Sequence, residues 1–246
     1  ELLRQAVPPS PPETEHVAPY WYYAVALFGA AMTPYEVFFF SSGAVEEGWT
    51  AKDLAQNRVN VLVGFPLGGL LSVAIAACAA VVLLPAGIEV SSLSQIVLPV
   101  AEAGGTLLLA VVIVGIVAAT FGAALETALS SGYTLAQYLG WSWGKFRRPA
   151  RAVRFHLTMV VALLLAVAIL MTSVDPVAVT EMSVVFSAVA LPLTYVPILL
   201  VANDPEYMGE HVNGRVTNAL GMVYLVIVVV AAVAAIPLMI ATGAGS

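Results

Sequence analysis

Six separate apolar runs, each about 20 residues or longer, constrain this chain more than any short motif does. They cover roughly residues 20–43, 61–84, 106–133, 153–171, 179–202 and 216–241. Each meets the ~20 helical residues needed to cross a hydrocarbon layer of ~30 Å. The chain is 61% hydrophobic and 10% charged, and its mean hydropathy is +0.96. That leaves too few polar residues to cover a globular core. The expected fold class is therefore all-α, a polytopic membrane protein. Residues 1–246 form a single transmembrane domain, with 1–19 an extracellular loop and 20–246 six transmembrane spans.

Charge placement orients the array. With spans alternating sides, the loops after spans one, three and five share a face. They hold Lys52, Arg58, Lys145, Arg147, Arg148, Arg151, Arg154 and Arg215, eight of the nine basic residues, against Arg4 alone on the other face. Short loops rich in Lys and Arg stay cytoplasmic, so both ends of the chain are expected outside. The first residues, with five prolines by Pro19 and no secretory pattern, read as an inter-helix loop. An odd number of spans is then expected upstream, and the chain reads as half of a larger membrane protein, its N-terminal half missing.

The first run holds the most informative residues. In it Thr33-Pro34 interrupts a stretch otherwise fit to be one helix. Proline has no N–H and its ring presses on the carbonyl one turn back, while the residue before it is steered from helical dihedrals. Two outcomes are open: a simple kink, or two half-helices, 20–32 and 35–44, with freed carbonyls at mid-membrane depth. Freed groups of that kind persist in lipid only when buried in protein, facing water or holding a ligand. Broken helices form the binding sites of many secondary transporters.

Other chemistry is sparse. Cys78 is the only cysteine and lies mid-span, which excludes an internal disulfide or a cysteine metal cluster. The one basic cluster borders a span, so no nucleic-acid partner is expected; the partner is the lipid bilayer. No nucleophile–base pair is present, which argues against an enzyme, and no cofactor is implied. His16, His156 and His211 lie in or near loops.

Three stretches resemble the NRAMP divalent-metal transporter family over nearly the whole chain, in the part that corresponds to the family's helices six to eleven. The family's helix six carries Ala-x-x-Met-Pro-His, then Ser-Ser; here the frame is Ala30-Ala31-Met32-Thr33-Pro34-Tyr35-Glu36, then Ser41-Ser42. Its helix eight has an AAGQSS-like start; here Ala123-Ala124-Leu125-Glu126-Thr127-Ala128 runs on to Gln137. The end of its helix ten reads like LPFAxxPLLxxTS, then MG and N. Here it is LPLTYVPILLVAND, with Met208-Gly209 and Asn213. The resemblance implies a LeuT-like inverted-repeat fold, of which this is the second half, with the first span broken at Thr33-Pro34.

The departures point to one branch. The family's soft methionine ligand is replaced at its aligned position by Thr33, while Met32 sits one residue early, about 100° round a helix. The family's two histidines, linked to proton movement, are Tyr35 and Phe40 here, so the imidazoles, whose ordinary pKa lies near neutral pH, are missing from both positions. This pattern is similar to the NRAMP-related magnesium transporters, in which proton coupling is absent or weak. The resemblance implies a metal site at the Ala30 carbonyl and the Thr33 oxygens. Magnesium takes oxygen ligands and keeps several waters, and losing the thioether weakens but does not abolish binding of softer ions. The implied cargo is Mg²⁺, with Mn²⁺ as a second ion. The alternatives are a proton-coupled Mn²⁺/Fe²⁺ transporter, a LeuT-fold transporter of another substrate such as an amino acid, and a non-transporting membrane subunit.

Tyr35, Glu36 and Glu126 are the further ion-pathway or supporting residues. Glu36 lies in the first turn after the break, where a helix N-terminus favours a carboxylate; attraction of a hydrated cation and plain capping are equally open. Glu126 either faces the ion path or pairs with another helix. The aromatic group Tyr20–Tyr23 reads as an interfacial belt. The expected localisation is a bacterial inner membrane.

Overall fold

The computed structural model describes residues 17–83, 85, 87, 95, 97–172 and 174–243. No strand occurs among the described residues. Among the described residues, six helical segments are long and apolar enough to cross a membrane: Val17–Glu46, Ala51–Leu83, Gly104–Tyr138, Val153–Leu170, Pro176–Ala202 and Arg215–Thr242. The protein is an all-α polytopic membrane protein.

The first span is two helices, α1 (Val17–Ala31) and α2 (Pro34–Glu46), separated by Met32 and Thr33. The remaining spans are α3 (Ala51–Leu83), α4 (Leu98–Tyr138), α5 (Val153–Leu170), α6 (Pro176–Ala202) and α7 (Arg215–Thr242). α3 contains two wider π-helical turns, Asn60–Gly64 and Ala79–Leu83. α4 departs from helical dihedrals at Gly105, where φ is 63°, so its spanning part starts at Gly104.

Several boundaries differ from those the sequence suggests, for local reasons. The helix of the first span begins at Val17, so residues 17–19 are helical rather than loop, and residues 1–16 lie outside the described residues. Most of the connection 85–96 lies outside them too. The stretch between the first two apolar runs is mostly helical rather than loop: α2 runs to Glu46 and α3 starts at Ala51. The start is built by Thr50, whose N–H donates to Asp53 Oδ2 at 2.7 Å while its hydroxyl accepts from Lys52 N–H at 3.4 Å. Such an exchange satisfies orphan amides at a helix start. α6 begins three residues earlier than the apolar run because the Asp175 carboxylate accepts the Val177 N–H at 2.9 Å and Pro176 suits the first helical position.

The chain forms two compact units. One runs from Phe39 to Ala168; the other joins the described residues up to Phe38 with those from Ile169 onward. In the first, Tyr133, Ala136, Ala152 and Phe155 are buried, with Phe39, Leu129, Trp141, Trp143 and Met159 packed on them. In the second, α1, α6 and α7 pack through Tyr22, Val25, Val185, Ala188, Ala231 and Ala235. Lipid is as apolar as leucine, so spans associate by close packing of small residues rather than by hydrophobic burial. Gly29 of α1 shows how close the approach is. A β carbon there would stand 2.6 Å from the Val184 carbonyl oxygen and 2.9 Å from Ala188 Cβ.

Candidate metal site at the helix break

The break follows from the chain chemistry. An α-helical N–H bonds the carbonyl four residues back, so the Ala30 carbonyl would be served by residue 34, and Pro34 has no N–H. α1 ends at Ala31 and α2 restarts at Pro34. The C-terminus of α1 carries a partial negative charge and the N-terminus of α2 a partial positive one.

Thr33, Pro34, Tyr35 and Glu36 form a Thr-x-x-Glu sequence, which at a helix start normally exchanges two bonds: hydroxyl to the N–H three residues on, and carboxylate back to the threonine N–H. Only half is made. Glu36 Oε2 accepts the Thr33 N–H at 3.4 Å, and the Glu36 N–H goes to the Thr33 carbonyl at 3.2 Å rather than to its hydroxyl. Thr33 is 8% exposed, and its Oγ1 is buried without a hydrogen-bond partner among the described residues. Buried polar atoms without partners are uncommon. Glu36 is half-buried and engaged as the cap; Tyr35 is half-buried beside it, and Ala30 is exposed at the end of α1.

Beside the break in the same unit lies an aromatic group. The Tyr224 ring of α7 sits 5.9 Å from Phe28 of α1 and 5.0 Å from Tyr195 of α6. Its hydroxyl donates to Met32 Sδ at 3.2 Å. A cavity of about 470 Å³ between α6 and α7 is lined by Tyr195, Asn213, Thr217 and Tyr224, among others. Asn213, of the third family-like stretch, is set there by its N–H on the Ala202 carbonyl at 3.0 Å. Pro192 and Pro197 of the same stretch both lie inside α6, which continues through them.

Glu126 belongs to the first unit, half-buried on α4, where Thr127 folds its hydroxyl back on the Ala123 carbonyl at 2.8 Å. That unit contains a polar network the sequence did not single out. Glu46, at the end of α2, accepts from the Tyr133 hydroxyl at 2.5 Å and from the Phe146 N–H at 2.8 Å. Gly144, at φ 132°, permits this turn; a β carbon would stand 2.9 Å from Glu46 Oε1. Lys145 Nζ meets Glu47 at 2.5 Å, and Gln137 Nε2 donates to Ser42 Oγ at 2.8 Å, joining residues of two family-like stretches. The signal in the sequence was the acid pair Glu46-Glu47 and a basic, aromatic loop about a hundred residues later. His156 bonds the Ala152 carbonyl through Nδ1 at 2.9 Å, a structural role. Among the described residues, no three His, Cys, Asp or Glu side chains come together.

These features define a class: a polytopic membrane protein with one span divided into half-helices and a partnerless buried oxygen at the division. The chain belongs to the Nramp family. The family model, described as natural resistance-associated macrophage protein-like, matches residues 1–237 of it. Members of this family transport divalent metal cations and are transporters rather than enzymes, so the chain is an integral membrane protein for metal-ion transport. No curated protein matches the chain.

Proposed function

We propose that the divalent cation binds at the break, on the Ala30 carbonyl and the oxygens of Thr33, and that Mg²⁺ is the main cargo with Mn²⁺ as a competitor. The observation that carries this is the half-made cap: a buried threonine hydroxyl without a partner among the described residues, three residues after a carbonyl that proline cannot serve. Hard oxygen donors suit a small, strongly hydrated ion that keeps part of its water shell. The residues fit that cargo without a side-chain nitrogen or sulfur at the Thr33 position. The fold proposed for the whole protein is the LeuT-like inverted repeat, and the ion is cargo, with no resident cofactor. A bacterial inner membrane remains the proposed location.

Transport is proposed to run without obligatory proton movement, since Tyr35 and Phe40 stand where the family's histidines are. Glu36 and Glu126 are the supporting acids, Glu36 by capping α2 beside the ion. The test is uptake into liposomes containing the full-length protein, with Mg²⁺, Mn²⁺ and Cd²⁺ as cargo and competitors and a pH dye inside. Expected are Mg²⁺ entry, competition by Mn²⁺ and a flat dye signal. Thr33→Met should tighten Mn²⁺ and Cd²⁺ binding and leave Mg²⁺ no better. Strong Cd²⁺ transport with no Mg²⁺ transport would overturn the magnesium reading. Metal-driven acidification that disappears in Glu126→Gln would instead make the transport proton-coupled through that acid.

A further inference from the structure

Residues 17–38 contain one sulfur atom, Met32 Sδ, and it stands next to the proposed ion site in sequence. Met32 and Thr33 are the two residues of the break that lie between α1 and α2. A thioether at such a place is the donor that would draw Cd²⁺ and other soft ions. Its side chain is long, unbranched and flexible, so nothing in its covalent structure keeps it from turning toward a bound ion.

The surroundings do. Tyr224 donates its hydroxyl to Met32 Sδ at 3.2 Å. The tyrosine is itself held on two sides: the Phe28 ring at 5.9 Å, and the Tyr195 ring at 5.0 Å in an edge-to-face arrangement with an interplanar angle of 72°. Tyr195 is fixed in turn by its hydroxyl on the Gly221 carbonyl at 3.4 Å, one turn before Tyr224 on α7. All these residues belong to the second unit, so the anchor comes from helices packed on α1. Met32 is half-buried in this arrangement.

Resting on the reading that the ion binds at the break, we propose that Tyr224 is a specificity-determining residue: by anchoring the Met32 sulfur it keeps the soft donor adjacent to Thr33 in the chain away from the ion and leaves the break's oxygens to hold it. Selectivity against soft ions then has two parts, the oxygen at Thr33 and the restraint on its neighbour. Tyr224 acts through Met32 and is a positioning residue.

The experiment uses the full-length protein in liposomes and measures Mn²⁺ uptake with Cd²⁺ as competitor. Tyr224→Phe keeps the ring contacts with Phe28 and Tyr195 and removes only the donor. The Cd²⁺ concentration that halves Mn²⁺ uptake should fall about fivefold, the factor expected for a hydrogen bond of ordinary net strength. Adding Met32→Leu to Tyr224→Phe should return that concentration to the parent's value, which a loss of packing alone would not do. Met32→Leu by itself should leave it where it was. Equal Cd²⁺ sensitivity in the parent and Tyr224→Phe would overturn the proposal. So would weaker Cd²⁺ competition in Met32→Leu alone, because the sulfur would then already be a ligand. A parent that carries no divalent ion at all would overturn the binding reading and this inference together. A parent that carries Mn²⁺ with a Cd²⁺ response indifferent to Tyr224 would overturn this inference alone.

Discussion

α2 carries a carboxylate near each end, Glu36 and Glu46, and the two have opposite surroundings. Glu46 has a donor on each oxygen, the Tyr133 hydroxyl at 2.5 Å and the Phe146 N–H at 2.8 Å. Among the described residues, Glu36 has one long bond, from the Thr33 N–H at 3.4 Å, and the Thr33 hydroxyl has no partner. A network in which every member is satisfied rigidifies a structure, and a buried polar atom left unpaired costs free energy until something pairs it. Sequence position alone singled out Glu36, as ion-pathway or capping residue, and gave no sign of the partners that hold Glu46.

The comparison is broken most severely at Glu46. Glu46→Ala leaves the Tyr133 hydroxyl and the Phe146 N–H without their acceptor, and the expected loss is roughly 2–4 kcal/mol. Unfolding in detergent micelles by heat or by SDS would measure it. Glu46→Gln, which keeps one oxygen, should lose about half as much. A Glu46→Ala protein as stable as the parent would mean that the network holds nothing.

Next in size is Gly29→Ala on the helix that leads into the break. The added carbon has nowhere to go between Val184 and Ala188, and overpacking of this kind costs about 1–3 kcal/mol. The same unfolding measurement reads it, and an unchanged midpoint would show that α1 and α6 are less closely packed than the 2.6 Å approach implies.

Thr33→Val should have a smaller effect on stability, within about 0.5 kcal/mol, because removing a hydroxyl that makes no bond forfeits none. Its expected signature is in transport, with weaker Mg²⁺ uptake at an unchanged unfolding midpoint. A large loss of stability would reveal a structural bond to that hydroxyl.

The smallest effect sharpens the comparison at its exposed margin. The hydrogen bond from Lys145, and after it that from Trp49, hold the Glu47 carboxyl below the usual carboxylate range. A pKa lowered on folding means that the unfolded chain binds the proton more readily. The contribution to stability is therefore fully present above the ordinary glutamate range, near pH ~4.3, and lost as pH falls through the lower folded value. Glu47→Gln should trail the parent slightly at neutral pH and converge with it in acid. Glu47 is a surface carboxylate, so added salt should shrink the gap at neutral pH. A gap that widened in acid would contradict this assignment.

Much of this was legible in the residues. The six spans follow from runs of apolar side chains, a local property; at Thr33-Pro34 the missing N–H marked a weak point but left a kink and a break both open, and α6 runs on through Pro192 and Pro197. Helix ends were less legible where capping extended them: Thr50 with Asp53 starts α3 well before its apolar run, and Asp175 with Pro176 starts α6 early. Glu46 lies just past the first apolar run, and its partners, Tyr133 and Phe146, are about ninety and a hundred residues away. No periodicity or motif near Glu46 encodes them.

The sequence by itself determined the class of protein, the number of spans and the place where one could be divided, because each depends on side-chain hydropathy or on backbone chemistry within a few residues. Tertiary structure decided which polar atoms at those places are spent and which are left. Thr33 and Glu36 could have closed a complete cap, and Met32 could have offered its sulfur. The outcome depends on how the backbone turns at the break and on the Tyr224 hydroxyl, brought to Met32 from 192 residues away by the packing of α1 against α7. A hydrogen bond requires atoms about 3 Å apart in the right orientation, and that distance is a property of packed helices.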